Sequence, residues 1–166
     1  MPKKIKNNAL QKYEKANCIL SVVLMAASLG FSISLITLLS DVMNEESKYG
    51  CYVIAGCYLL FTLLALAHCI QGVVTYKNTE SYSAIFRSIG SGAAFFAGLV
   101  NAQFMAVMTF SAMGKTSAAE KAIGSRTMDE FVQSQHSSWV LLICAIALTI
   151  LIGAAAAVRL IKGKAR

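Results

Sequence analysis

Residues 88–114 read SIGSGAAFFAGLVNAQFMAVMTFSAMG, a run without a single charged side chain. Within it Gly90, Ala94, Gly98, Ala102 and Ala106 return at every fourth position. A helix needs about 20 predominantly apolar residues to cross roughly 30 Å of hydrocarbon, and this run exceeds that. Small side chains at i, i+4 let a second backbone approach closely. In lipid that matters, because hydrocarbon gives helices no hydrophobic reason to associate. The segment reads as a transmembrane helix with one stripe built for packing.

Working outward, three more uncharged runs have the same character: Ala16–Ser40, Tyr49–Tyr76 and Phe131–Val158. They are bounded by Lys15, Asp41, Lys48, Lys77, Glu130 and Arg159, as the first run is by Arg87 and Lys115. Segments apolar nearly all round have lipid or each other as solvent. A hydrophobic content of 57% with 14% charged residues places the whole chain in the membrane class. The expected architecture is an all-α, polytopic, four-transmembrane-helix bundle in one domain spanning residues 1–166. Its spans lie near 17–40, 51–76, 88–113 and 137–160, with antiparallel up-and-down connections.

The net charge of +7 is distributed as a topology signal. Lys3, Lys4, Lys6, Lys12 and Lys15 precede span one, Lys77 and Arg87 lie between spans two and three, and Arg159, Lys162, Lys164 and Arg166 follow span four. Those eleven face four on the other side: Lys48, Lys115, Lys121 and Arg126. The positive-inside rule then puts both termini in the cytoplasm. Asp41, Glu45, Glu46, Glu120, Asp129 and Glu130 fall outside, and only Glu14 and Glu80 inside. The basic excess suits contact with lipid headgroups and not with nucleic acid. The first apolar run is too long and begins too far into the chain for a cleaved signal peptide, so it reads as a retained span. Which membrane holds the protein, plasma, inner or organellar, is not encoded in these features.

Between the spans the sequence carries local signals. Ile5, Ala9, Leu10, Tyr13 and Ala16 recur at helical spacing among lysines, so residues 3–16 read as a short interfacial amphipathic segment leading into span one. The second outer loop, 114–136, reads as partly helical. Ser117-Ala118-Ala119-Glu120 matches a capping box and Gly124 a stop. Thr127-Met128-Asp129-Glu130 is a second capping box, followed by Phe131, Val132, Gln135 and Trp139 on one face. On that pattern helix four starts near Met128 and projects about 10 to 15 Å past the bilayer, with Trp139 at the interface. The sole proline is Pro2, so no span is proline-kinked.

Chemistry-bearing residues are sparse. Ala145, Thr149, Gly153 and Ala157 repeat the small-residue stripe on span four, and Ala26, Gly30 and Ser34 do so on span one. Together with Gly90, Ala94, Gly98, Ala102 and Ala106 they form the expected helix-packing interface. His68, Asn101 and Gln103 are the polar residues at depth, expected either to bond across the bundle or to line a pore. No Asp, Glu, Lys or Arg lies in the core of a span on this reading. One membrane histidine cannot supply bis-histidine haem ligation, and Met105, Met108 and Met113 read as apolar filler rather than copper ligands. The five cysteines, Cys18, Cys51, Cys57, Cys69 and Cys144, lack C-x-x-C spacing and read mostly as packing residues. Cys18, at the membrane boundary, is where S-acylation would fall. No catalytic residue, metal ligand or cofactor is expected.

Four spans with both termini inside is a layout common to several tetraspan groups. The short Asp41–Gly50 link departs from the claudin-like pattern, and the cysteine-free second loop from that of tetraspanins. The paired loop cysteines of quinone-linked thiol oxidases and the membrane-embedded Glu of small multidrug exporters are absent. In size, loop lengths and topology the chain resembles MARVEL-type vesicle and junction proteins, with no diagnostic motif carrying the likeness. The expected function is therefore non-enzymatic: a structural or assembly protein that packs against itself or other membrane subunits through small-residue faces. The alternative is a channel or transporter subunit with a pore between protomers.

Overall fold

Where lipid surrounds the backbone, each N–H and C=O must find its partner within the same segment, and the α-helix is the structure that does this. The computed structural model of this chain is accordingly all-helical, with 93% of it in six helices. It describes residues 2–43 and 48–164, and their side chains apart from 2–10, 40–43, 48, 128 and 163–164. The helices are α1 Pro2–Met43, α2 Lys48–Thr79, α3 Tyr82–Ala112, α4 Thr116–Ile123, α5 Met128–Ser134 and α6 His136–Lys164. Four of them, α1, α2, α3 and α6, are long and apolar enough to cross a membrane. The link between α1 and α2, with Glu45 and Glu46, lies outside the described residues.

The four long helices pack in a ring, α1 on α2, α2 on α3, α3 on α6 and α6 on α1, with α1 and α3 touching across it. Of each apolar window 28 to 39% is fully buried, further residues such as Leu35, Leu64 and Phe95 are half-buried against the core, and the rest is exposed. At the centre Phe31 packs against Tyr58 and Phe61, ring centroids 5.7 and 5.9 Å apart, with Leu24 and Ile54 beside them. Dispersion between close surfaces has to hold such a bundle together, and the small residues are placed accordingly. A Cβ added at Gly98 would come within 2.7 Å of Thr62 Oγ1 on α2. At Gly90 it would collide with Ile152 on α6, and at Gly153 with Met25 on α1.

Helix boundaries depart from the sequence expectation in three places, the α2–α3 turn, the start of α4 and the start of α6. The N-terminal segment 3–16 is the first part of α1, which runs unbroken from Pro2 to Met43. The α2–α3 connection is only Glu80 and Ser81, with Glu80 turning the chain at φ 54°. Helix α4 starts at Thr116 with Lys115 as its N-cap and no side-chain cap bond, so the Ser117 capping box does not form. Gly124, at φ 75°, does end it. The Thr127–Glu130 box forms in full: Thr127 N–H donates to Glu130 Oε2 at 2.8 Å and Glu130 N–H to Thr127 Oγ1 at 3.3 Å.

The helix that this box starts is not the beginning of a projecting span. It ends after seven residues, and Gln135 separates it from α6. Phe131 on α5 is fully buried and stacks on Phe104 at 6.2 Å, and Trp139 meets the same ring edge-on at 5.0 Å. Arg126 lies over the Phe131 ring at 5.2 Å, a cation–π contact. Ala119 and Ile123 of α4 are buried too. Aromatic packing thus folds α4 and α5 down onto the bundle as a lid, in place of a free helical tip.

Candidate functional site

The side chains of the polar interior come from helix faces that hydropathy alone treats as apolar. On α1, Asn17, Ser21 and Ser28 are all fully buried. Ser21 Oγ donates to the Asn17 carbonyl at 2.8 Å and lies 2.7 Å from His68 Nε2 on α2. A hydroxyl has one proton. With that proton on the Asn17 carbonyl, His68 must donate through Nε2–H, which leaves Nδ1 bare. Among the described residues His68 Nδ1 has no donor facing it, and neither atom of the Asn17 carboxamide has a partner.

Arg87 extends this cluster. It lies within α3, 8% exposed, and its Nη1 donates to Cys18 Sγ on α1 at 3.3 Å. Its Nε has no acceptor among the described residues. The charge pattern of the sequence puts Arg87 on the link between spans two and three. The physical cause of the difference is the two-residue turn at Glu80 and Ser81, which starts α3 at Tyr82, six residues before the expected span, and carries Arg87 into the bundle. Cys18, the boundary cysteine considered for S-acylation, is itself buried beneath this guanidinium at 7% exposure. Close by, Ser88 Oγ donates to the Cys69 carbonyl at 2.6 Å, across a contact where a Cβ on Gly72 would meet Ser88 Cβ at 2.6 Å.

Further along the bundle, polar groups are bonded in separate pairs. Ser28 Oγ and Thr149 Oγ1 lie 2.7 Å apart between α1 and α6. Asn101 Nδ2 donates to the Ala97 and Ser138 carbonyls, each at 2.9 Å, the second on α6. Tyr58 donates to the Gly98 carbonyl, linking α2 to α3. Phe31, Phe61 and Leu24, none more than 1% exposed, fill the interior beside these pairs.

The residues singled out from sequence are thereby placed. Gly90, Ala94 and Gly98 are buried inside the bundle, Ala106 is half-buried and Ala102 is exposed. The cause is geometric, since steps of four residues advance about 40° around a 3.6-residue helix and the stripe turns out of any one contact. Gly90 accordingly meets α6 and Gly98 meets α2. On α6, Ala145, Thr149 and Gly153 are buried and Ala157 half-buried. On α1 the stripe splits, Ser34 inside and Ala26 and Gly30 outside. His68 and Asn101 are both buried but bond different helices, α1 and α6, while Gln103 is exposed and donates to the Ala122 carbonyl of α4 at 2.6 Å. The three therefore share no hydrogen bond, and Gln103 serves the lid.

Sequence reasoning misses Asn17 and Arg87, and gives Ser21 only as one of the span-one serines that could line a pore. For Asn17 and Ser21 a signal exists: Asn17, Ser21 and Ser28 share a helical face at i, i+4, i+11. Among the described residues, no three His, Cys, Asp or Glu side chains gather as a metal site would require. No family model, curated protein or solved structure matches this chain.

Proposed function

We propose that this chain is a non-enzymatic, multi-pass membrane protein that acts by packing. It is a four-span, up-and-down unit with both termini cytoplasmic, and it associates with copies of itself or with other membrane subunits. The observation that carries the reading is how the buried polar groups are used. Ser28–Thr149, Ser21–His68 and Asn101–Ser138 each tie one helix to one neighbour, and Phe31 and Phe61 occupy the space a passage would need. A pore between protomers would want His68 and Asn101 facing outward, and both face in. Antiparallel neighbours are supported by the pairing order: Ser21 meets His68, whereas Phe31, further along α1, meets Tyr58, further back on α2.

Most of the small-residue stripes are used up in closing the bundle. Ala102 of α3 is left exposed singly, whereas on the outward side of α1 Ala26 and Gly30 are both exposed and a Cβ at Gly30 would touch nothing within 4 Å. Two small residues one turn apart on a lipid-facing helix allow a second helix to lie close. The test is particle mass in mild detergent, by light scattering. Wild type is expected as a discrete multimer and Gly30→Leu as a folded monomer. A wild-type monomer that co-purifies with no other membrane subunit would sink the proposal, and ion flux from reconstituted wild type would favour the pore reading instead.

A further inference from the structure

A groove of about 360 Å³ opens between α3 and α6, lined by Ser83, Phe86, Arg87, Leu151, Ile152 and Arg159 among others. Two arginines and no carboxylate line it. Arg159 is exposed and its Nη1 donates to Ser83 Oγ at 3.0 Å, which holds its guanidinium toward α3. Arg87 is 92% removed from solvent, and its Nε lacks an acceptor among the described residues. A cation that far from water needs an anion or a dense set of acceptors, and a neutral thiol at 3.3 Å is a poor substitute. Two like charges on one groove also repel until an anion lies between them. The remaining wall is apolar: Phe86 and Leu151 are 70% and 68% exposed on the lipid-facing side.

We propose that this groove holds one anionic phospholipid, its phosphate between Arg87 and Arg159 and an acyl chain along Phe86, Leu151 and Ile152. Guanidinium groups bind phosphate oxygens through paired, charge-assisted hydrogen bonds, and basic pockets between transmembrane helices take acidic headgroups. Arg87 sits five residues into α3, about 8 Å from its start, the depth of a headgroup for a helix that begins at the membrane surface. The exposed apolar wall favours a lipid over free phosphate, which would leave Phe86 and Leu151 unused. The inference rests on the chain being a membrane protein and not on its self-association.

Full-length protein in mild detergent is challenged with phosphatidylglycerol, phosphatidylcholine or inorganic phosphate, and retained ligand is read by native mass spectrometry. Phosphatidylglycerol should be retained about ten-fold better than phosphatidylcholine, whose choline cation repels the arginines. Arg159→Gln should remove that preference, as loss of a charge-assisted bond implies, and Arg159→Lys should keep part of it. Arg159 is at the surface, so both variants should fold. Arg87→Gln is read the same way once its helix content matches wild type. Equal retention of the two lipids, or an unchanged preference in Arg159→Gln, overturns the site. Displacement of the lipid by millimolar inorganic phosphate would make it a free-anion site and overturn the lipid assignment. Gly30→Leu protein should retain phosphatidylglycerol like wild type, so a failure of the assembly reading would leave this result standing.

Discussion

Gly98 and Ala102 are one turn apart on the same helix, yet they face different surroundings. Gly98 is buried beneath Thr62, so Gly98→Leu forces α2 and α3 apart and should cost about 1–3 kcal/mol, the usual penalty of overpacking. Ala102 is exposed, and Ala102→Leu should change stability by less than about 0.5 kcal/mol. Unfolding in mixed micelles compares the two; equal losses would mean that the α2–α3 contact is not where Gly98 places it. Asn101 gives a second residue-level test. Its Nδ2 bonds two helical carbonyls that also serve their own ladders, so Asn101→Leu removes side-chain bonds without stranding a backbone group. Intramembrane hydrogen bonds average about 0.6 kcal/mol, and a loss of that order is expected in the same assay. A loss several times larger would assign Asn101 a further role.

At the scale of the element, α5 is the helix whose start depends on a titratable group. The Glu130 carboxyl is held below its ordinary value, first because the Thr127 backbone N–H donates to it and then through the Thr127 side chain. A depressed folded value means the cap contributes fully above the unfolded value near 4.5 and is lost as pH falls through the lower folded one. Trp139 shares the Phe104 ring with Phe131 of α5, so its fluorescence should shift when acid loosens the cap. Glu130→Ala should show that shift already at neutral pH and flatten the titration. An identical acid titration in Glu130→Ala would assign the transition elsewhere. This capping box was legible in the sequence because Thr and Glu at N-cap and N3 are a local code. So were the four spans, which depend only on the length of an uncharged run. The α2–α3 turn was not legible, because Glu80 adopts φ 54° with neither Gly nor Pro to announce it. Without that turn Arg87 is a boundary charge in the sequence pattern, and the groove beside it has no sequence signal. The break at Gln135 was hidden for another reason: it is set by Phe131 packing on Phe104, a contact between distant parts of the chain.

For the whole molecule, the decisive property is which end faces which side of the membrane. Contacts bring one basic residue from each of three helices toward one end: Arg87 reaches Cys18, Arg159 reaches Ser83, and Lys12 shares a groove with Gln71. The other end carries the lid, with Gln103 on Ala122 and Cys51 on the Met108 carbonyl. Along α3, Arg87 and Met108 are 21 residues apart, about 32 Å, which matches the hydrocarbon thickness. By sequence, eleven of the fifteen basic residues precede the first span, lie between the second and third or follow the fourth, and retention of positive charge during insertion should keep that side in the cytoplasm. Reporter tags at both termini should therefore be protected in sealed right-side-out vesicles, while a tag between Gly124 and Thr127, on the exposed face of the lid, should be accessible. Replacing Lys3, Lys4, Lys6, Lys12 and Lys15 together by Gln would leave six basic residues against four and should yield a mixed population. Tags at the two termini reporting opposite sides in the wild-type protein would mean an odd number of crossings, and the four-span unit would fall with its assembly role.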